Sequence, residues 1–200
     1  MNKFIGKKAL DFTAKAVMAD NSINDFFNLK DYVDGHKAIL FFYPLDFSFV
    51  CPSEIIAFNN KLEIFNALKT KVIAVSVDSH FAHYTWKNIP NEKGGIGSIN
   101  FPIVSDLNKE ISSQYEVLYE DGVSLRGSFL IDQNFVIRHY VVNDFPLGRN
   151  IGEAIRMVEA WDFYLKYGEV CPAGWNKGDT GINPNDKGIA EYLKNNSSKL

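Results

Sequence analysis

Cys51 and Cys171 are the two cysteines of this 200-residue chain, and each stands between a valine and a proline. Cys51 ends the run Phe41-Phe42-Tyr43-Pro44-Leu45-Asp46-Phe47-Ser48-Phe49-Val50-Cys51, in which an apolar stretch breaks at a proline. A helical pattern follows it, so a thiol is placed where a strand ends and a helix begins. Helix N-termini present free N–H groups and partial positive charge, which favour a thiolate over a thiol. The thiolate is the nucleophile, and the chemistry on offer is cysteine-based redox chemistry.

Ionisation by itself is a modest advantage, worth at most about thirty-fold at neutral pH for a thiol of ordinary acidity. A fast reaction also needs an aligned electrophile and stabilisation of the leaving atom. With a peroxide, the thiolate attacks one oxygen and the other departs as hydroxide or alkoxide, so hydrogen-bonding groups and a fixed positive charge are useful. Ser48, three residues before Cys51, reaches the same pocket from the loop, where its hydroxyl can accept from an incoming hydroperoxide and donate towards its oxygens or the sulfur. Pro44 holds that loop and shields the thiol from water. Arg126, in Ser124-Leu125-Arg126-Gly127-Ser128, enters a core strand, where an inward guanidinium needs an anion and a thiolate serves.

Each residue also has a plainer reading on its own. A single cysteine is commonly a small buried apolar residue, Ser48 a turn residue, and Arg126 a strand-end partner of a surface carboxylate. Glu54 reads as a first-turn acid opposing the helix dipole. Thiol, proline loop, hydroxyl and helix start within one segment favour the chemical reading. His80 and His83 read as solvated helix residues, and no metal or cofactor site is expected. Gly94-Gly95-Ile96-Gly97 reads as a surface turn, and the lack of Cys-x-x-Cys disfavours a thioredoxin-type reductase.

The elements that must carry these residues follow from the apolar pattern. Lys37 to Tyr43 and Lys71 to Asp78 read as strands buried on both faces. Between them Ile55, Phe58, Leu62, Phe65 and Leu68 mark one face of a helix starting at Pro52. Strand, helix and strand make a βαβ unit. Further helices are expected around 81–88, 107–115 (capped by Ser105 or Asp106) and 150–167. Ser128 to Asp132 and Val136 to Asn143 form a hairpin about Gln133-Asn134. From Gly168 the composition turns polar, with a brief helical stretch at Ile189 to Leu193; this is an arm that must lie on some other surface.

Hydrophobic residues make up 46% of the chain and charged residues 22%, as in an ordinary globular domain. The 21 basic and 24 acidic residues leave a net charge of −3 without a basic cluster, against a nucleic-acid or anionic-membrane partner. No stretch approaches the ~18 apolar residues of a membrane span, and Met1 to Lys8 lacks a signal-peptide run, so a cytoplasmic location is expected. In that reducing compartment the two cysteines would form a transient disulfide at most, not a permanent staple.

Pro44 through Cys51 resembles the peroxiredoxin signature P-x-x-x-[TS]-x-x-C, and Phe42 through Ile55 is similar to the typical 2-Cys subgroup that includes alkyl hydroperoxide reductase C. The likeness continues through Ser76-Val77-Asp78-Ser79, Arg126-Gly127, Gly148-Arg149 and Gly168-Glu169-Val170-Cys171-Pro172. It implies a thioredoxin-like α/β fold, a central mixed β-sheet flanked by helices over residues 1–167, with an extended C-terminal arm at 168–200. It implies a thiol peroxidase in which Cys51 is the peroxidatic and Cys171 the resolving cysteine, joined between subunits in a disulfide. Pro44, Ser48 and Arg126 match the family's active-site partners. The implied partners are a hydroperoxide, a thioredoxin or flavoprotein disulfide reductase, and a second copy of the chain, with dimers assembling to a decamer. A redox-regulated holdase chaperone and a peroxide sensor are the competing readings of the same scaffold. Ser48 stands where threonine is commoner, a small change. Tyr192-Leu193 stands where a Tyr-Phe pair marks hyperoxidation-sensitive members, which implies intermediate sensitivity.

Overall fold

The computed structural model describes residues 3–199, so Met1, Asn2 and Leu200, with the first positions of the signal-peptide reading, lie outside it. The chain divides into two compact units, Met1–Ile151 and Gly152–Leu200, so the long helix near residue 150 is grouped with the arm.

Among the described residues of the first unit, β1 (Thr13–Val17), β2 (Ile23–Asn28), β3 (Lys37–Phe42), β4 (Thr70–Ser76), β5 (Ile103–Ser105), β6 (Arg126–Ile131) and β7 (Ile137–Asn143) form one sheet. Their order is β2-β1-β5-β4-β3-β6-β7. β3, β4 and β5 run parallel, while the pairs β1–β2, β1–β5, β3–β6 and β6–β7 are antiparallel. The sheet is therefore mixed, as the thioredoxin-like reading requires. Every residue of β3 is buried, because this central strand is covered on both faces.

Helices α1 (Leu29–Val33), α2 (Cys51–Asn60), α3 (Leu62–Ala67), α4 (His80–Lys87) and α5 (Glu110–Gln114) belong to the same unit. On α2, Ile55 and Phe58 point inward, and the Phe58 ring stacks on Phe41 of β3 at 4.2 Å. Burial of each such ring stabilises the fold by about 2–3 kcal/mol. The single helix expected from Pro52 to Leu68 is instead two, because Lys61 leaves helical geometry at ψ 7°. Phe65 of α3 still meets Phe58, at 6.0 Å, so the apolar stripe survives the break. α5 is shorter than expected, and Asp106 caps it by accepting from the N–H groups of Ile111 and Ser112.

The hairpin about Gln133-Asn134 is present, its turn held by Asp132, which accepts from the N–H groups of Asn134 and Val136. The β1–β2 hairpin and β5 had no counterpart in the sequence reading. α6 (Ile151–Tyr167), in the second unit but for its first residue, ends at Gly168, whose φ of +69° lets the chain double back, and Val170 then pairs with Ile182. α7 (Asp186–Asn196) extends the short helix expected at Ile189 to Leu193. No described helix is long and apolar enough to cross a membrane.

Candidate active site

β3 delivers the chain to the site. It ends at Phe42, Pro44 is buried just beyond it, and the loop to Val50 leads directly into α2, whose first residue is Cys51. Pro52 occupies the second helical position, where its missing N–H costs no intrahelical bond. The Cys51 side chain is fully buried.

Arg126 opens β6, the neighbour of β3, and its inward side chain is 4% exposed. Its Nη1 donates to Cys51 Sγ at 3.4 Å and to Glu54 Oε2 at 2.7 Å, while Nε donates to the Phe145 carbonyl at 2.7 Å. The sequence reading brought Arg126 to the thiol, and the structure does bring the two together. Glu54 stands in the first turn of α2, as expected, and it has partners the sequence does not show. Glu54 is buried, lying one turn before Phe58 on the helix face that packs inward. That i, i+4 relation to Phe58 was the available signal.

Glu54 joins Arg126 to a second guanidinium. Arg149 donates to Glu54 Oε1 through its backbone N and Nε, and to Oε2 through Nη2, each at 2.8 Å. Its Nη1 donates to the carbonyls of Phe42 and Gly127, both at 2.8 Å, tying the end of β3 to the start of β6. Burial pushes the Glu54 carboxyl up, but the hydrogen bonds and charge of Arg149, then the charge of Arg126, outweigh it and hold the group below the usual carboxylate range. Two guanidinium groups against one carboxylate leave one positive charge in a dry site. An anion formed at the Cys51 sulfur would balance it.

Ser48 does not point its proton at the sulfur. Its hydroxyl donates to the Leu45 carbonyl at 2.7 Å, so its oxygen keeps its capacity to accept a further hydrogen bond. The loop carries a left-handed residue, Phe47 at φ +56°, whose ring rests on Trp86 at 5.6 Å.

A second buried cluster pins the other side of the loop. Tyr43 donates to Asp46 Oδ1 at 2.7 Å, His83 Nδ1 lies 2.8 Å from Asp46 Oδ2, and the Asp46 N–H donates to Asp78 Oδ2 at 2.8 Å. Burial, then the Asp46 charge, pushes Asp78 up, and the same two causes push Tyr43 well above its ordinary value. His83 is thus not the solvated helix residue expected from its spacing: its side chain is wholly buried. Gly94-Gly95-Ile96-Gly97 is likewise more than a surface turn. Gly95 and Ile96 are buried, and the Trp86 indole N–H donates to the Gly94 carbonyl at 3.1 Å. Among the described residues no group of three or more His, Cys, Asp and Glu is placed to hold a metal ion.

Cys171 lies in the second unit, partly buried, with its thiol donating to the Ala160 carbonyl of α6 at 3.5 Å. Burial pushes this thiol up, and the charge of Arg156 opposes the rise. What the arrangement offers is an enclosed thiol against a fixed guanidinium at a helix start, and a second thiol at the head of the arm.

Residues 5–140 match the AhpC/TSA family, and residues 160–195 match the C-terminal domain of 1-Cys peroxiredoxin. The chain is 52% identical over 196 residues to alkyl hydroperoxide reductase C of Helicobacter pylori, covering 98% of this chain and 99% of that one. It is 48% identical over 173 residues to the mitochondrial thioredoxin-dependent peroxide reductase of Drosophila melanogaster, covering 86% and 73%. The reduced 2-Cys peroxiredoxin of Plasmodium vivax superposes with a TM-score of 0.93 at 44% identity, over 96% of this chain and 100% of that one.

Proposed function

The chain belongs to the AhpC/TSA family and is a peroxiredoxin, and from that premise we propose that Cys51 is its peroxidatic thiol and Cys171 its resolving thiol. The observation that carries the assignment is the Arg126 Nη1 to Cys51 Sγ contact of 3.4 Å at the first residue of α2. A cation held there by Glu54 and the Phe145 carbonyl cannot turn away from the sulfur, so its charge is fixed before the reaction starts.

In the first step the Cys51 thiolate attacks one oxygen of a hydroperoxide and the O–O bond breaks. The sulfur is oxidised to sulfenic acid, and the leaving hydroxide or alkoxide takes up a proton. Arg126 stabilises the thiolate and the charge growing on the departing oxygen. The Ser48 oxygen accepts from the hydroperoxide O–H and orients it. Pro44 closes the loop over the sulfur.

In the second step the Cys171 thiolate of the partner subunit attacks the sulfenic sulfur. The S–S bond forms, the S–O bond breaks, and hydroxide leaves as water. Cys51 is fully buried, and sulfurs bond at about 2.05 Å, so the first turn of α2 must open before this step. A dithiol reductant, thioredoxin or a flavoprotein disulfide reductase, then restores both thiols; a relative named as thioredoxin-dependent supports the first of these.

We assign the working unit as a homodimer that assembles to a decamer in the cytoplasm. Supporting the self-association are the exposed apolar side chains of edge strand β7, Tyr140, Val141 and Val142, and those of Phe47, Phe81 and Tyr84. Sedimentation of the reduced protein tests the assembly. Two substitutions test the chemistry. Cys51→Ser abolishes peroxide turnover, and Cys171→Ser leaves the first oxidation intact but forms no Cys51–Cys171 dimer. Turnover retained in Cys51→Ser would refute the assignment.

A further inference from the structure

Cys171 is held in place by its own unit. After Gly168 the arm runs back along α6, and the Cys171 thiol meets the Ala160 carbonyl at 3.5 Å. One turn earlier on the same helix face stands Arg156, whose Nη1 donates to the Trp175 carbonyl at 2.7 Å. The turn from Cys171 to Trp175 is therefore tied to α6 at both ends. Trp175 is 2% exposed; its ring packs on Phe163 at 4.9 Å and its indole N–H donates to the Asp179 carbonyl at 3.1 Å. The other edge of Arg156 is forked onto Glu153, with Nε and Nη2 each at 2.7 Å from a carboxylate oxygen. That fork fixes the plane of the guanidinium and leaves Nη1 for the arm.

We propose that Arg156 is a positioning residue for Cys171: it clamps the Cys171–Trp175 turn to α6 and holds its guanidinium, fixed in plane by Glu153, against the turn that carries the thiol. The proposal rests on the assignment of Cys171 as the resolving thiol. In the step concerned, the Cys171 thiolate attacks the sulfenic sulfur of Cys51. Cys171 is oxidised as the disulfide forms, the sulfenic sulfur is reduced, and hydroxide leaves as water. Only the thiolate is competent, so whatever raises its population speeds the step. Arg156 is the charge that acts on this thiol, against a burial that disfavours its ionisation.

Removing Arg156 takes away the clamp and the charge together; the alkylation midpoint follows the charge, and the disulfide rate follows both. In a Cys51→Ser background, iodoacetamide reports Cys171 alone, without peroxide. Arg156→Met is expected to move the pH midpoint of Cys171 alkylation upward, and Arg156→Lys to restore most of it. A midpoint that stays put overturns the proposal. So does one that falls, which would show that the guanidinium does not favour the thiolate, or one that Arg156→Lys leaves unrescued.

With Cys51 present and one equivalent of hydrogen peroxide, Arg156→Met should lose the Cys51 thiol at the wild-type rate. It should form the disulfide about threefold to fivefold more slowly at pH 7, the effect of one partly exposed charge pair. An unchanged disulfide rate also overturns the proposal. Absence of any disulfide in the wild-type protein would instead refute the resolving role of Cys171, and the alkylation profile would still decide what Arg156 does.

Discussion

Arg126 meets the Cys51 sulfur with the same nitrogen that meets Glu54: Nη1 stands 3.4 Å from Sγ and 2.7 Å from Oε2. The cation facing the thiol is therefore aimed by a carboxylate on the thiol's own helix, three residues along. Glu54 is held in turn by three bonds from Arg149, each 2.8 Å long, and Arg149 ties together the ends of the two strands that flank the site. Sheet, helix and charge are one rigid assembly.

Replacing Arg126 by lysine keeps the charge and loses the fork that spans sulfur, carboxylate and the Phe145 carbonyl. The second-order rate of Cys51 oxidation by hydrogen peroxide is expected to drop by roughly 10²–10³-fold, the scale of losing one preorganised donor. Stopped-flow fluorescence measures it. A rate within twofold of wild type would remove Arg126 from the chemistry.

Ser48 spends its proton on Leu45 and keeps its oxygen as an acceptor. Ser48→Ala deletes that acceptor, and peroxide reduction should slow by about 10–100-fold, the scale of one hydrogen bond left unmade to a polar partner. Ser48→Thr, which restores the hydroxyl, should lie within a few-fold of wild type. Equal rates for alanine and threonine would contradict the assigned role.

Glu54→Gln leaves two buried guanidinium groups without their shared anion, and urea unfolding should show a loss of about 3 kcal/mol. The same carboxylate governs acid stability. Its folded value lies below its unfolded one, so its contribution is complete above the ordinary carboxylate range near 4.5 and is lost as pH falls through the lower folded value. The wild-type advantage over Glu54→Gln should therefore be constant from pH 5 to 7 and shrink steeply below about pH 4. An advantage that grows on acidification would reverse the sign and the account with it.

Lys87 is 2% exposed, and its ammonium donates to the Met18 carbonyl at 2.5 Å. Burial drives its pKa down to about 8, with Asp20 opposing the fall. Between there and its unfolded value the unfolded chain binds more protons, so stability rises with pH across that window. Relative to Lys87→Met, the wild-type protein should gain up to about 3 kcal/mol between pH 8 and about 10.5, and nothing below pH 8. Melting curves of the two proteins across this range supply the comparison, and a flat difference would place the ammonium in contact with water.

What could be read in the sequence was what is local. The proline, hydroxyl and thiol of Pro44 to Cys51 fall within eight positions, and the all-apolar β3 announces its own burial. Arg126 was legible because a charge at the start of an apolar strand needs an anion. Glu54 was legible as a first-turn acid, but its burial and its partner Arg149, 95 positions away, were not. His83 was misread for the same reason, its partner Asp46 lying on another segment. Lys61 carries no local sign of the break that divides α2 from α3; the requirement that Phe65 reach Phe58 is tertiary. The β1–β2 hairpin was missed although Asp20-Asn21-Ser22 is turn chemistry, because half-exposed strands such as β2 lack the apolar run that marked β3.

The most direct test of the central claim is stopped-flow reaction of the fully reduced protein with one equivalent of hydrogen peroxide, followed by tryptophan fluorescence and quenched for a non-reducing gel. Trp86, buried against Phe47 of the active-site loop, is placed to report the event. The account predicts a rapid phase far above the rate of a free thiolate, then a slower one that yields a Cys51–Cys171 linked dimer. Reaction no faster than a free thiolate, with monomer alone on the gel, would mean that Arg126 and Ser48 do not make Cys51 a peroxidatic centre.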